Sequence, residues 1–125
     1  GVTLRDRAYP GRSLAPQARG EPIDWDDTRF GEYGDLRMIR TPRFKLVKRY
    51  PSGPDDLFDL HADPGETHNL TDHPGLAAVE ADLTRQLEGW YARHEDPRKS
   101  GLRVQELRPH NRQSEAWRDG LREKA

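Results

Sequence analysis

The sequence contains no cysteine, which excludes disulfide bonds, cysteine-ligated zinc and cysteine nucleophiles within its 125 residues. It also lacks any apolar run near the ~18 residues that a membrane-spanning helix requires, so we expect no membrane crossing. Residues 1–14 carry four charged side chains where a secretory signal needs an apolar stretch, so no such signal is predicted. These absences leave the cellular location undetermined.

Residues that build hydrophobic cores are scarce. Leu, Ile, Val and Phe provide 22 of the 125 residues, which is below the rough 20% level at which disorder becomes a concern. The net charge is only −1, however, so the strong net charge typical of disordered chains is absent. The apolar residues concentrate between Phe30 and Tyr91, whereas Pro, Gly, Arg and Asp dominate both ends. We therefore predict one small domain in the middle of the chain.

Short apolar segments separated by turn residues predict an antiparallel sheet. Segments 36–39 and 44–47 flank Thr41-Pro42-Arg43, where the fixed φ of Pro42 suits a turn. A second breaker, Pro51-Ser52-Gly53-Pro54, precedes Leu57-Phe58-Asp59-Leu60, which reads as a third strand of a meander.

Beyond these strands the apolar spacing changes to three and four residues, which predicts an amphipathic helix with one buried stripe. The stripe consists of Leu76, Val79, Leu83, Leu87 and Trp90. Pro74 suits the first turn, Asp72 can accept from free backbone donors there, and the helix should end near His94. The predicted fold is α+β, with a small antiparallel sheet of three to four strands packed against one C-terminal amphipathic helix and irregular N- and C-terminal extensions.

The net charge is close to zero, but basic and acidic residues are concentrated in different segments of the chain. Residues 35–49 contain six basic side chains and one acidic one, residues 54–82 contain eight acidic and no Lys or Arg, and residues 98–125 are again basic. Either these are solvated faces of a small domain, or the basic hairpin lies beside an anionic ligand. We expect no nucleic-acid partner, because the acidic segment would repel a polyanion and the sequence pI is about 6.6.

Motifs that carry catalysis are missing from the sequence. There is no glycine-rich phosphate loop, and no serine has the G-x-S-x-G setting of a nucleophile elbow. His61, His68 and His73 lie among carboxylates, but their spacing matches no established ligand pattern, so we predict no metal site there. From the residues alone we predict no catalytic residue in this chain.

Three motifs, in order, carry a resemblance to a known family. They are Arg37-Met38-Ile39-Arg40-Thr41-Pro42-Arg43-Phe44-Lys45-Leu46-Val47, then Asp56-Leu57-Phe58-Asp59-Leu60, then Asp63-Pro64-Gly65-Glu66-Thr67-His68-Asn69-Leu70. This arrangement resembles the C-terminal subdomain of the type I (formylglycine-dependent) sulfatases of the alkaline phosphatase superfamily. Upstream, Gly11-Arg12-Ser13-Leu14-Ala15-Pro16 resembles the segment that closes the family's large N-terminal domain.

The third motif also has a physical interpretation. Asp63 can accept hydrogen bonds from backbone donors ahead of it, Pro64 presets φ, and Gly65 can adopt a positive φ. Asn69 can satisfy backbone groups left open in the connection, and Leu70 offers an apolar anchor. We interpret this motif as the device that fixes the helix on the sheet.

The resemblance implies hydrolysis of sulfate esters by a parent polypeptide. In such enzymes a formylglycine made in a C/S-x-P-x-R motif attacks sulfur, and a calcium ion polarises the sulfate oxygens. This sequence contains no such motif, so both Ca²⁺ and formylglycine are expected in a missing N-terminal catalytic domain that would be its partner. We predict that residues 1–28 end or link to that domain, 29–96 form the C-terminal subdomain, and 97–125 are an Arg-rich C-terminal extension.

The resemblance also suggests which residues approach a substrate. Glu32, Tyr33, Arg37 and Arg40 open the basic hairpin, and sulfated small molecules or carbohydrates are anionic, so we predict these four nearest the pocket. The alternative is that they are strand-surface residues paired with acidic neighbours. A second alternative for the whole chain is an independent protein-interaction module derived from a sulfatase fold.

The ends of the chain carry two further expectations. We expect an exposed apolar patch that includes parts of residues 1–28, where a catalytic domain would dock. The extension has few apolar anchors, namely Val104, Leu107, Trp117 and Leu121, and could wrap that domain or mediate an oligomer.

Overall fold

Four antiparallel strands and one long helix form the computed structural model, which describes residues 10–24, 26–103 and 106. The strands are β1 (Arg29–Tyr33), β2 (Leu36–Arg40), β3 (Phe44–Arg49) and β4 (Asp56–Asp59), and they pair in chain order as a meander. A one-turn helix, α1 (Ala15–Ala18), precedes the sheet, and the long helix α2 (Ala77–His94) follows it. The predicted α+β fold is confirmed.

The central hairpin forms where the sequence predicts it. Ile39 of β2 lies opposite Leu46 of β3, and Leu46 in turn lies opposite Leu57 of β4. The turn between β2 and β3 closes with the Thr41 amide donating to the Phe44 carbonyl at 2.8 Å. The sequence does not predict the position of β1, because its residues RFGEY do not alternate between apolar and polar. The strand is recognised from its antiparallel pairing with β2.

The connection from β4 to the helix is built on side-chain hydrogen bonds. The Asp63 carboxylate accepts from the amides of Thr67 and His68 at 2.7 and 2.8 Å, as the turn motif predicts. These bonds, above all the one from the His68 amide, lower the pKa of Asp63. The predicted position of the positive φ is wrong, because it falls at Glu66 (φ 55°) and not at Gly65.

A 3₁₀ turn at Pro74–Leu76 leads into α2, which ends at His94 as predicted. The expectation that Asp72 caps this turn is corrected, because Asp72 has φ 64° and the ring nitrogen Nδ1 of His73 accepts from the Gly75 amide at 3.2 Å. Asp72 therefore lies in the chain reversal before the 3₁₀ turn, and His73 is the residue whose side chain caps that turn.

The helix packs on one face of the sheet, where it contacts β2 and β3. Among the described residues, six buried side chains form the core: Ile39, Leu46, Leu57, Leu83, Leu87 and Tyr91. The predicted helix stripe supplies two of them, while Leu76, Val79 and Trp90 pack at the margin. Burying an aliphatic side chain contributes about 1.5–3 kcal/mol, so this cluster supplies the main favourable term for so small a domain.

The ends of the chain are only partly described. Leu14, in the segment where exposed apolar surface is expected, is 58% exposed. Two 3₁₀ turns, Pro97–Lys99 and Gly101–Arg103, follow α2. Residues 1–9 and 25 of the predicted linker, and the predicted anchors Val104, Leu107, Trp117 and Leu121, lie outside the described residues. In the part of the chain that is described, no helix has the length and apolar character needed to span a membrane.

Candidate functional site

The β1–β2 hairpin brings two of the four predicted site residues together. Glu32 on β1 lies opposite Arg37 on β2, and Tyr33 and Leu36 flank a two-residue turn that begins at Gly34. Gly34 has φ 59°, a conformation that glycine adopts without steric cost and that short hairpin turns require. The tight turn therefore fixes the register that places Glu32 beside Arg37.

Arg37 is the centre of a buried ion-pair cluster. Only 6% of the residue is exposed, and its Nε donates to Glu32 Oε1 at 2.9 Å. Its Nη2 donates to the carboxylate of Glu95, just beyond α2, and to Ser100 Oγ at 3.2 Å. A buried guanidinium requires such partners, because desolvation would otherwise cost several kcal/mol.

Two tyrosine rings complete the enclosure of Arg37. The guanidinium carbon lies 3.9 Å from the centroid of the Tyr91 ring and 5.7 Å from that of Tyr50. Burial raises the pKa of Tyr91 to about 12, the Glu32 carboxylate adds to this, and Arg37 opposes it. Burial also raises the pKa of Tyr50. Both phenols are therefore neutral near pH 7 and present π faces to the cation.

The segment after α2 closes over this cluster, and we call residues 95–103 the strap. Ser100 is buried, and the amide of Gly101 donates to Glu32 Oε2 at 3.1 Å. A Cβ on Gly101 would lie 2.5 Å from the Gly34 carbonyl oxygen, so only glycine allows this approach. Both the side chain and the backbone amide of Arg98 donate hydrogen bonds to the Asp96 carboxylate. These bonds, with the side-chain bond the stronger influence, lower the pKa of Asp96 to about 2.

The other two predicted residues lie on the opposite face of the sheet. Tyr33 and Arg40 alternate with Glu32 and Arg37, so they point away from α2. Tyr33 is 82% exposed. Arg40 is also exposed and sits between Arg29 and Lys45 on the neighbouring strands. The structure thus places the four predicted residues in two pairs on two faces, and not in one pocket.

We call the face that bears Tyr33 and Arg40 the open face. Its half-buried apolar residues are Leu36, Met38, Val47 and Phe58, and its basic residues are Arg29, Arg40, Lys45 and Arg49. Lys45 forms an ion pair with Glu66, and Arg49 forms one with Asp56 in which the two charged atoms lie 2.7 Å apart. Arg40, in contrast, has no hydrogen-bond or ion-pair partner among the described residues. A mixed apolar and basic surface of this kind suits contact with another protein surface or an anion.

Sequence reasoning missed the partners of Arg37. Glu95, Ser100, Tyr50 and Tyr91 are separated from Arg37 by up to 63 positions, so no local pattern links them. One signal was present, since Asp96-Pro97 has the same cap-and-proline order that predicts the start of a helical turn. That signal predicts a turn after α2, although it does not predict where the turn packs.

The histidines near the third motif have structural contacts. His73 accepts from the Gly75 amide, and the ring of His68 lies 3.6 Å from Asp63 while being mostly exposed. Within residues 10–24, 26–103 and 106, no three His, Cys, Asp or Glu side chains are grouped as a metal site would need. The arrangement therefore provides ion-pair and capping chemistry in this region.

Known proteins share this sheet-and-helix unit. No family model matches the chain. The chain is 29% identical to a Delta 4,5-hexuronate-2-O-sulfatase of Bacteroides thetaiotaomicron and 31% identical to the multifunctional alkaline phosphatase superfamily protein PehA of Trinickia caryophylli. Each match covers 72% of this chain and 21% of the relative. The chain thus spans about a fifth of the length of these relatives.

Solved structures give a consistent result. A 2-O GAG sulfatase matches 84% of this chain with a TM-score of 0.62 and 26% identity, over 23% of its own length. The phosphonate monoester hydrolase of Silicibacter pomeroyi matches 70% with a TM-score of 0.61 and 31% identity, over 22% of its length. The described unit therefore corresponds to a minor part of much larger hydrolases.

Proposed function

The chain is related to the sulfatases of the alkaline phosphatase superfamily and resembles their C-terminal subdomain, and from this we propose that it supports the catalytic domain of a sulfate ester hydrolase. The observation that carries the proposal is the match of one sheet-and-helix unit to only 23% of a 2-O GAG sulfatase. A unit of this size leaves room in the parent polypeptide for a separate catalytic domain. The parent is a hydrolase, and this chain acts within it.

The open face supports a docking role. Four half-buried apolar residues on this face alternate with the side chains that contact α2, so a partner could cover them without disturbing the core. Tyr33 at its edge is 82% exposed and adds a large aromatic ring to this surface. We assign the catalytic domain as the partner that covers this face.

The chemistry belongs to that partner. A formylglycine nucleophile and a Ca²⁺ ion, each held by the catalytic domain, would supply the attack on sulfur and the polarisation of the sulfate oxygens. The residues of this chain contribute positioning. Arg40 can present its guanidinium to an anionic group, because it has no partner within the described part of the chain.

Glu32 and Arg37 contribute by holding the hairpin. Their ion pair, with Glu95 and Ser100 behind it, fixes the turn that carries Tyr33 at the end of β1. We propose that Tyr33 and Arg40 approach the substrate, a sulfated small molecule or carbohydrate, while Glu32 and Arg37 keep these two side chains in register. In this assignment two of the predicted residues contact the substrate directly, and the other two act indirectly by holding the hairpin in place.

The test uses the longest polypeptide encoded in frame with this chain. Its activity is measured on 4-methylumbelliferyl sulfate and on sulfated monosaccharides, with 4-nitrophenyl phenylphosphonate as the competing substrate class. We expect sulfate release, and we expect Arg40→Gln to raise KM about tenfold with little change in kcat. Arg85→Gln on the outer face of α2 is the matched control, since Arg85 is exposed and forms its ion pair with Asp82 on the same helix.

Three results would overturn the proposal. The first is an encoded polypeptide that has no C/S-x-P-x-R motif, which would favour an independent interaction module. The second is hydrolysis of the phosphonate ester with no release of sulfate, which would assign the chain to the other reaction of its relatives. The third is equal KM for the Arg40 and Arg85 variants, which would remove Arg40 from the pocket.

A further inference from the structure

The two edges of the sheet differ in whether their outward main-chain groups are hydrogen-bonded. β4 forms one edge, where the Leu57 amide donates to Asn69 Oδ1 at 2.9 Å and the Leu57 carbonyl accepts from the Leu70 amide at 2.8 Å. The connection to α2 therefore occupies this edge. β1 forms the other edge, and no residue in the described part of the chain bonds the outward main chain of Phe30 or Glu32.

The two-residue turn after β1 determines which of its main-chain groups point outward. Tyr33 and its partner across such a turn form a hydrogen-bonded pair, and bonded pairs alternate with non-bonded pairs along an antiparallel ladder. The Tyr50 amide, which donates to the Asp35 carbonyl at 2.8 Å, shows the same alternation on the other side of β2. Phe30 and Glu32 therefore direct their amides and carbonyls away from the sheet.

The main chain of Glu32 is accessible from outside the sheet. The residue as a whole is exposed although only 24% of its side chain is, because the carboxylate turns toward Arg37. The strap contacts Glu32 through the side-chain oxygen Oε2, and residues 10–12, which lie near Phe30, form no backbone hydrogen bond with the described residues of β1. β1 also pairs with β2 residue for residue, without a bulge, and contains no proline, so its edge keeps the regular form that a further strand requires.

We propose that an extended segment of the catalytic domain pairs with β1 and adds a fifth strand to this sheet. Main-chain hydrogen bonds to Phe30 and Glu32 hold the segment, which is how exposed strand edges bind an extended chain. On the open face its side chains lie beside Gly31 and Tyr33, where the side chain of Met38 reaches over Gly31, so we expect apolar residues at alternate positions of the segment. The inference rests on the proposed function for the presence of that domain in the same polypeptide.

The short length of β1 favours a tethered partner over a second copy of the chain. The edge offers two outward amides and two outward carbonyls, and each main-chain hydrogen bond made in water contributes little. Two separate molecules would also lose translational and rotational freedom on pairing, whereas a segment of the same polypeptide loses far less. The chain spans about a fifth of the length of its relatives, so a parent of similar size has ample chain to supply this strand.

The test is hydrogen–deuterium exchange, resolved to single amides by fragmentation mass spectrometry, on the 125-residue chain and on the longest polypeptide encoded in frame with it. In the chain alone the amides of Phe30 and Glu32 should exchange rapidly, because they face water. In the longer polypeptide both should exchange at least about tenfold more slowly. The amides of Gly31 and Tyr33 are the internal controls, since they bond β2 and should be protected in both samples.

Proline and alanine at position 30 separate hydrogen bonding from simple burial. Both substitutions remove the ring that stacks on Trp90, but only Phe30→Pro removes the outward amide. In the longer polypeptide the Glu32 amide should exchange about fivefold faster in Phe30→Pro than in Phe30→Ala, because the added strand loses one hydrogen bond. In the chain alone the two variants should agree within about twofold. The comparison of the two unsubstituted proteins tests the proposal even if a variant fails to fold.

Four outcomes would contradict the inference. The first is rapid exchange of the Phe30 and Glu32 amides in the longer polypeptide. The second is slow exchange in the chain alone at every concentration, which would assign the edge to another segment of this chain. The third is protection that rises with the concentration of the chain, which would assign the edge to a second copy. The fourth is equal exchange of the Glu32 amide in the two variants at position 30.

The exchange measurement requires no turnover, so this inference and the proposed function can fail separately. Sulfate release without protection of these amides would contradict the added strand and leave the proposed function intact. Protection without sulfate release would contradict the proposed reaction and leave the added strand intact.

Discussion

The Arg37 guanidinium carbon lies 3.9 Å from the centroid of the Tyr91 ring, so β2 and α2 are joined by a cation–π contact as well as by apolar packing. The same guanidinium pairs with Glu32 on β1 and Glu95 after α2. One side chain thus connects the hairpin, the helix and the strap. Since the strap begins directly after α2, this cluster determines how the end of the helix meets the sheet.

Replacing Arg37 with methionine should destabilise the domain by about 3 kcal/mol. The substitution keeps most of the side-chain volume but leaves two partly buried carboxylates without their cation. Urea unfolding monitored by circular dichroism measures the loss. Arg37→Lys should recover only part of it, because a single ammonium nitrogen cannot occupy both the Nε and the Nη2 positions and has no planar group to stack on the Tyr91 ring.

The matched control for Arg37→Met is Arg85→Met. Arg85 forms an exposed ion pair with Asp82, and such pairs contribute about 0–1 kcal/mol. Similar losses of unfolding free energy for the two variants would show that Arg37 is no more than another surface cation.

Two glycines should respond in opposite directions to alanine. Gly101→Ala should cost about 1–3 kcal/mol, because its Cβ would meet the Gly34 carbonyl at 2.5 Å and push the strap from the hairpin. Gly89→Ala, inside α2 with no heavy atom within 4 Å of its Cβ, should stabilise by about 0.5–1 kcal/mol. Midpoints of urea unfolding give both values, and a stable Gly101 variant would contradict the packing of the strap.

The helix and the central strands were predictable because their signals are local. The apolar residues from Leu76 to Trp90 are spaced three and four positions apart, and only a helix places residues at this spacing on one side. The structure confirms the predicted helix as α2. The short apolar segments around Thr41-Pro42-Arg43 likewise predict the β2–β3 hairpin, which β2 and β3 confirm. Strand β1 lacks such a pattern, and its Gly31 accommodates Met38 of the neighbouring strand, a contact that appears only after pairing.

The candidate site was predictable only as a set of residue types. Glu32 and Arg37 are adjacent in the hairpin register, but the burial of Arg37 depends on Glu95, which is 58 positions away. Arginine is seldom buried, so composition favours an exposed side chain at this position. The separation of Tyr33 and Arg40 from the other two follows from strand alternation, which requires the exact extent of β1 and β2.

Asn69 should be essential for the connection between β4 and α2. Its Oδ1 accepts from the Leu57 amide at 2.9 Å, and its Nδ2 donates to the Asp55 carbonyl at 3.0 Å. Asn69→Ala should therefore lower the unfolding free energy by about 1–3 kcal/mol, since Leu57 is fully buried and its amide would lose its partner. Thermal unfolding measures the change.

The control for Asn69→Ala is His68→Ala in the same connection. The His68 ring is 82% exposed, so its contacts with Asp63 and Thr67 are made in solvent, and alanine retains the backbone amide that donates to Asp63. We expect a change below about 0.5 kcal/mol. Equal losses of unfolding free energy for the two variants would show that the side-chain amide of Asn69 contributes no more than the exposed ring of His68, and would contradict this prediction.

The ion pair between Lys48 and Asp55 predicts how stability depends on pH. Lys48 Nζ donates to Asp55 Oδ2 at 2.7 Å, and the Arg49 amide donates to Oδ1 at 3.0 Å. Burial acts to raise the pKa of Asp55, but these hydrogen bonds outweigh it and the pKa lies below 3.8. The hydrogen bond to Asp55 raises the pKa of Lys48 above 10.5, against the effect of burial.

The sign of each contribution follows from linkage. Because the pKa of Asp55 is lower in the folded state, its contribution is complete above the unfolded pKa, near 4, and is lost as the pH falls through the folded value. The contribution of Lys48 is complete below about 10.5 and is lost as the pH rises through its higher folded pKa. The unfolding free energy should therefore be nearly constant from about pH 5 to 9 with respect to this pair.

Asp55→Asn should lower stability at pH 7 by about 1–2 kcal/mol and flatten the acid limb, since one carboxylate with a lowered pKa is removed. Urea unfolding at pH 2.5, 4, 7 and 10 measures both effects. The acid limb should not vanish, because hydrogen bonds also lower the pKa of Asp59 and Asp63. Asp82→Asn, whose partner Arg85 is exposed, is the control, and an Asp55 variant with the acid limb of the unsubstituted chain would contradict this account.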